Sequence, residues 1–156
     1  CCVRCAILMA LRGLVHVNVN CSDFDRSLKF YELLGFKKYL DVPSTNTKEV
    51  AAAVGMPPYL VKGALLALQN AKAPFVIDLL EWRNPKDDYP PYEHLYHLGI
   101  NRIALASDDL EQDIVRLKAE GVEFLSEPAA VQLEDGPVTR FVCFKDPDGT
   151  VLELVQ

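Results

Sequence analysis

An internal duplication governs what this chain can fold into. HVNVNCSDFDRSLKFYELLGF, starting at His16, and RIALASDDLEQDIVRLKAEGVEF, starting at Arg102, follow one plan at an offset of 86 residues. That offset pairs Asp23 with Asp109, Phe24 with Leu110, Leu28 with Ile114, Tyr31 with Leu117, Gly35 with Gly121 and Phe36 with Val122. A repeat of this kind sets the architecture before any single residue does. Each copy is one supersecondary unit, and neither buries both its helix and its sheet alone.

Local patterning fills in the unit. In LVHVNVN, Val15, Val17 and Val19 alternate with Leu14, His16, Asn18 and Asn20, which predicts a strand over 14–20 with one polar face. Ser22 is the expected N-cap of a helix whose stripe is Phe24, Leu28, Tyr31 and Leu34 and whose stop is Gly35. FKKYLDV reads as the next strand, TKEVAAAV at 47–54 as a short inserted helix, and 59–69 and 74–82 as two more strands. The second copy predicts a strand at 102–106, a helix at 109–120, a strand at VEFL, and strands at 138–145 and 150–155 around the DPDG turn.

These elements predict an α+β fold of two tandem βαβββ modules forming a curved mixed sheet around a cavity. The expected boundaries are an N-terminal extension at 1–13, a first module at 14–82, a proline-rich linker at 83–98 and a second module at 99–156. Residues 1–8 read as upstream or added sequence, since Met9 stands just before the first strand pattern. Cys1, Cys2 and Cys5 crowd one end, and the odd total of 5 cysteines is no disulfide framework.

At 156 residues with half of them apolar, the chain has material for one well-filled core. Its net charge of −6 argues against nucleic acid or an anionic membrane surface as partner, since both call for a basic face. The N-terminal apolar tract is too short for a membrane span and lacks the small-residue cleavage site of a signal peptide, so a cytoplasmic location is expected.

The repeat, together with the terminal FKDPDGTVLELVQ, resembles the vicinal oxygen chelate superfamily, which includes the glyoxalase I, bleomycin-resistance and extradiol-dioxygenase families. The resemblance spans residues 14–156. It implies a small-molecule ligand, a homodimer, and a divalent cation such as Zn, Ni, Fe, Mn or Co held by residues from the first and last strands of each module. Carried over, those positions are His16, Asp78, Arg102 and Glu153, so His16, Asp78 and Glu153 are the implied metal ligands. Either carboxylate, Glu153 or Asp78, is then the expected catalytic base of a lyase or isomerase.

Arg102 departs from the pattern. A guanidinium has no lone pair to give and its charge repels a cation. Two alternatives stand open. Arg102 pairs with Asp78 or Glu153 in place of a metal, which makes His16 a hydrogen-bonded core histidine. Otherwise Arg102 meets an anionic group of a small ligand, with Asn18 as a second polar contact and Trp82 as a flat apolar wall. The corresponding functions are a metal-dependent glyoxalase-like enzyme and a metal-free binding or resistance protein, with extradiol oxygenation disfavoured. His94 and His97, in PPYEHLYHLG, read as solvent-exposed linker residues, and Cys21 and Cys143 as small fillers.

Overall fold

The computed structural model describes residues 13–132 and 136–156. The cysteine cluster and the upstream tract at 1–8 lie outside the described residues. The first module runs β1 (Val17–Asn20), α1 (Phe24–Leu33), β2 (Phe36–Val42), α2 (Lys48–Ala53), β3 (Leu60–Leu68) and β4 (Val76–Asn84). The second runs β5 (Ile103–Ala106), α3 (Leu110–Ala119), β6 (Ala129–Gln132), β7 (Val138–Lys145) and β8 (Val151–Val155). No described helix is long and apolar enough to cross a membrane.

Each module is a four-stranded mixed sheet, and the two have one topology: β1-β4-β3-β2 and β5-β8-β7-β6. The first strand pairs in parallel with the last, and the remaining pairs are antiparallel. This is the tandem βαβββ arrangement expected from the repeat, with α2 as the insertion that has no counterpart in the second copy. Gly35 and Gly121 end the repeated helices at φ +94° and +84°, where a side chain would strain the backbone.

Two local expectations are corrected. Asp23, not Ser22, is the N-cap of α1, accepting from the Arg26 backbone N–H as Asp109 accepts from that of Gln112 at α3. Ser22 is instead drawn to Asp148, described below. VEFL is not a strand: Phe124 makes only an isolated bridge to Phe144, and pairing with β7 resumes at Ala129. Pro128, which has no N–H to donate, interrupts the ladder between them.

Period-two alternation sends one face of each sheet into a single core. Ile77 and Leu79 of β4, Leu152 and Leu154 of β8, Phe24, Phe30 and Tyr31 of α1, and Leu110, Ile114 and Leu117 of α3 belong to one buried cluster. The helix-covered faces of both sheets therefore merge, and the opposite faces carry the candidate site. Gly63 of β3 shows how tight the first sheet is: a Cβ there would stand 2.5 Å from Leu80 Cδ2 and 2.7 Å from the Leu79 carbonyl oxygen. The carbonyl cannot yield without disturbing the ladder. Gly63→Ala is expected to cost about 1–3 kcal/mol in urea denaturation, and an unchanged midpoint would contradict this packing.

A polar clasp joins the modules. Asp148, in the turn between β7 and β8, accepts from the Ser22 backbone N–H and hydroxyl, the Arg26 guanidinium at 2.6 Å and the buried Ser27 hydroxyl. Asp146 in the same turn accepts from the Tyr31 hydroxyl at 3.1 Å and from the backbone N–H groups of Asp148 and Thr150. Arg116 of α3 returns the contact by donating to the Leu33 carbonyl at the end of α1. Burial pushes the Cys21 thiol beside this clasp up to about 12, so it is a protonated filler.

Candidate functional site

In the first module the parallel register sets Asn18 opposite Asp78. Ile77 and Leu79 point into the core, so Asp78, Leu80 and Trp82 point to the uncovered face, where the Asn18 side-chain amide donates to Asp78 Oδ2 at 2.9 Å. The other carboxylate oxygen, Oδ1, is buried without a partner. Burial pushes the Asp78 carboxyl above its ordinary value, against the pull of His16 and the Asn18 hydrogen bond. Trp82 donates its indole N–H to Asn20 Oδ1 at 2.8 Å and rests on the Tyr59 ring, centroids 4.8 Å apart. His16 is exposed just before β1, so the core-histidine alternative does not describe it.

The second module repeats the geometry with different chemistry. Glu153 lies between Ala104 and Cys143 in register, as Asp78 lies between Asn18 and Leu65. Arg102 Nε stands 2.6 Å from Glu153 Oε2, and the Cys143 thiol donates to the same oxygen at 3.6 Å. The Glu153 side chain is only 10% exposed against 42% for Arg102, so a nearly buried carboxylate has its countercharge above it, toward solvent. Burial, then the Glu153 charge, push the Cys143 thiol up, which makes it a donor and not a thiolate.

The divalent cation that the resemblance implies needs several ligating side chains around one point. Among the described residues no three His, Cys, Asp or Glu side chains are so placed. Glu153 is already neutralised by Arg102, Asp78 Oδ2 is already engaged by Asn18, and no described contact links the two pairs. This donor set does not fit the metal. Of the two alternatives for Arg102, the ion pair with Glu153 is present.

The structure thus collects Asn18, Asp78 and Trp82 on one uncovered face and Arg102 with Glu153 on the other, while His16 stands at the edge of the first. His94 and His97 lie exposed in the linker, with His94 stacked on Tyr96 at 4.8 Å. Sequence reasoning read Cys143 only as a small filler, although the hairpin around DPDG places it across from Glu153. Alternation along PFVIDLLEW puts Glu81 on the side opposite Asp78, and there it accepts from the Phe24 N–H at the start of α1, a contact the sequence did not show.

The profile described as Glyoxalase/Bleomycin resistance protein/Dioxygenase superfamily matches residues 13–154. The chain is 30% identical over 148 residues to an Arabidopsis thaliana protein named "Probable lactoylglutathione lyase, chloroplastic", covering 93% of this chain but only 36% of that one. It is 26% identical over 151 residues to an uncharacterized Bacillus subtilis protein, covering 95% of this chain and 99% of that one. Among solved structures, a glyoxalase family protein from Bacillus cereus superposes with a TM-score of 0.73 at 20% identity, over 94% of this chain and 97% of that one. A glyoxalase I mutant from Zea mays superposes with a TM-score of 0.62 at 23% identity, over 90% and 44%.

Proposed function

The chain belongs to the Glyoxalase/Bleomycin resistance protein/Dioxygenase superfamily, and from that premise we propose that it binds a small polar or anionic molecule against its uncovered sheet faces. The observation that carries this reading is the Arg102–Glu153 ion pair at the position where a ligating side chain is implied. Asn18, Trp82 and Arg102 are the contacts, and Asp78 and Glu153 orient Asn18 and Arg102. A protein of this kind captures its ligand without a bound cation. Pairing of two copies and a cytoplasmic location belong to the same reading.

Trp82 is the only tryptophan and lies on the first of these faces, so its emission reports occupancy there. Titration with a panel of small polar and anionic molecules is expected to give a saturable change in emission that a chelator leaves intact. Metal analysis of protein purified without chelator is expected to find no stoichiometric divalent ion.

The second reading is a metal-dependent lyase or isomerase, favoured by the likeness to the Arabidopsis protein named above. Asp78 would be its base, because burial raises its proton affinity toward the range a base requires. Glu153 is less suited, being tied to Arg102. A stoichiometric metal that raises the thermal midpoint, with the rise lost in His16→Ala, would decide for this second reading and against the first.

A further inference from the structure

We infer that Arg102 takes the place of the divalent cation and that the ligand group it receives is a carboxylate. This deepens the small-molecule reading above and rests on it.

The donor set is wrong for a metal and right for an oxyanion. The guanidinium is anchored through Nε, 2.6 Å from Glu153 Oε2, on a carboxylate that is itself only 10% exposed. A carboxylate at that depth requires a countercharge, so Glu153 fixes where Arg102 sits. Anchoring at Nε leaves the two terminal nitrogens, and among the described residues they donate to nothing. The Arg102 side chain as a whole is 42% exposed, so solvent and solutes reach it from the uncovered face.

Two N–H groups on one planar edge match the two oxygens of a carboxylate, and each bond is strengthened by the opposite charges. A divalent ion brought to the same place would meet a fixed positive charge and a glutamate already neutralised. Glu153 is therefore a positioning residue, and Arg102 is the group that touches the ligand. The equivalent position in the first module holds His16, so the two copies differ in side-chain chemistry at this matched place.

The test compares acetate, pyruvate and benzoate, each with its primary amide, by thermal shift in excess EDTA on the full chain. At least one carboxylate is expected to raise the midpoint while its amide does not. Arg102→Lys is expected to weaken that response about tenfold, because an ammonium lacks the two-pronged edge. Arg102→Gln leaves Glu153 unpaired and risks unfolding, so the double variant Arg102→Gln with Glu153→Gln serves as the folded control. It is expected to keep a cooperative melt and lose the carboxylate response.

Equal shifts with carboxylate and amide overturn the assignment of Arg102 while leaving a binding face for neutral molecules, so the broader reading survives. A carboxylate response that persists in the double variant overturns it likewise, by placing the anion elsewhere. No response to any carboxylate overturns it as well. If the Trp82 titration also stays flat, the small-molecule reading falls with it.

Discussion

Tyr31→Ala is expected to destabilise the protein by about 3–5 kcal/mol, enough to unfold a domain of ordinary stability. Tyr31 is fully buried, and its ring meets Phe30 and Phe36 edge-on at centroid distances of 5.5 and 5.8 Å. Truncation removes that packing and opens a cavity where the two modules meet. Tyr31→Phe isolates the hydroxyl, whose loss deprives the buried Asp146 of one of three donors. About 1–2 kcal/mol is expected there, since the two backbone donors remain. Urea denaturation of both variants measures the difference, and equal losses would mean that the ring contributes nothing beyond its hydroxyl.

Asp148→Asn is the second large effect, about 2–3 kcal/mol at neutral pH, because a charged acceptor serving several donors is replaced by a neutral one. Burial pushes the Asp148 carboxyl up, but the hydrogen bonds from Ser22 and the Arg26 guanidinium outweigh it and hold the group below its ordinary value. A carboxyl lowered by folding contributes stability above its unfolded value, about 3.9, and loses it as pH falls through the folded value. Asp146 has the opposite sign: burial first of all holds it above the ordinary range, so protonating it relieves a cost as pH falls. The gap between wild type and Asp148→Asn is therefore expected to close below about pH 4. A gap of constant size down to pH 2 would show that charge is not what the clasp supplies.

Much of the fold was legible because it is local and repeated. The glycines at 35 and 121 and the insertion at TKEVAAAV each match an observed element, and alternation at LVHVNVN matches a strand that spans only Val17–Asn20 of the expected 14–20 and leaves His16 before it. The capping error at Ser22 was avoidable, since the offset that pairs Asp23 with Asp109 already identifies the residue common to both copies. VEFL failed for a different reason: its apolar pattern is real, but Val122 is buried and Phe124 packs against the core without a continuous ladder.

For the site, alternation placed Asp78, Trp82 and Glu153 on uncovered faces, and the mismatch of Arg102 with His16 was plain in the sequence. The use of that mismatch was not. Whether Arg102 closes on Asp78 or Glu153 depends on packing between distant strands, and only the folded chain shows the 2.6 Å pair. DPDG was readable as a turn, but its two aspartates hold a helix 115 or more residues earlier in the chain, beyond the reach of any local pattern.

The clasp means that the halves of this duplication are no longer interchangeable. At the positions matching Ser22, Arg26, Ser27 and Tyr31, the second copy carries Asp108, Gln112, Asp113 and Leu117. Its aspartates would repel a carboxylate-bearing turn, and its leucine has no hydroxyl to offer one. The turn between β3 and β4, QNAKAP, has no aspartate to present. A chain assembled from two first modules would have the donors without the acceptors, and one from two second modules the reverse. What began as one unit copied has become a lock and its key, and their order along the chain is fixed.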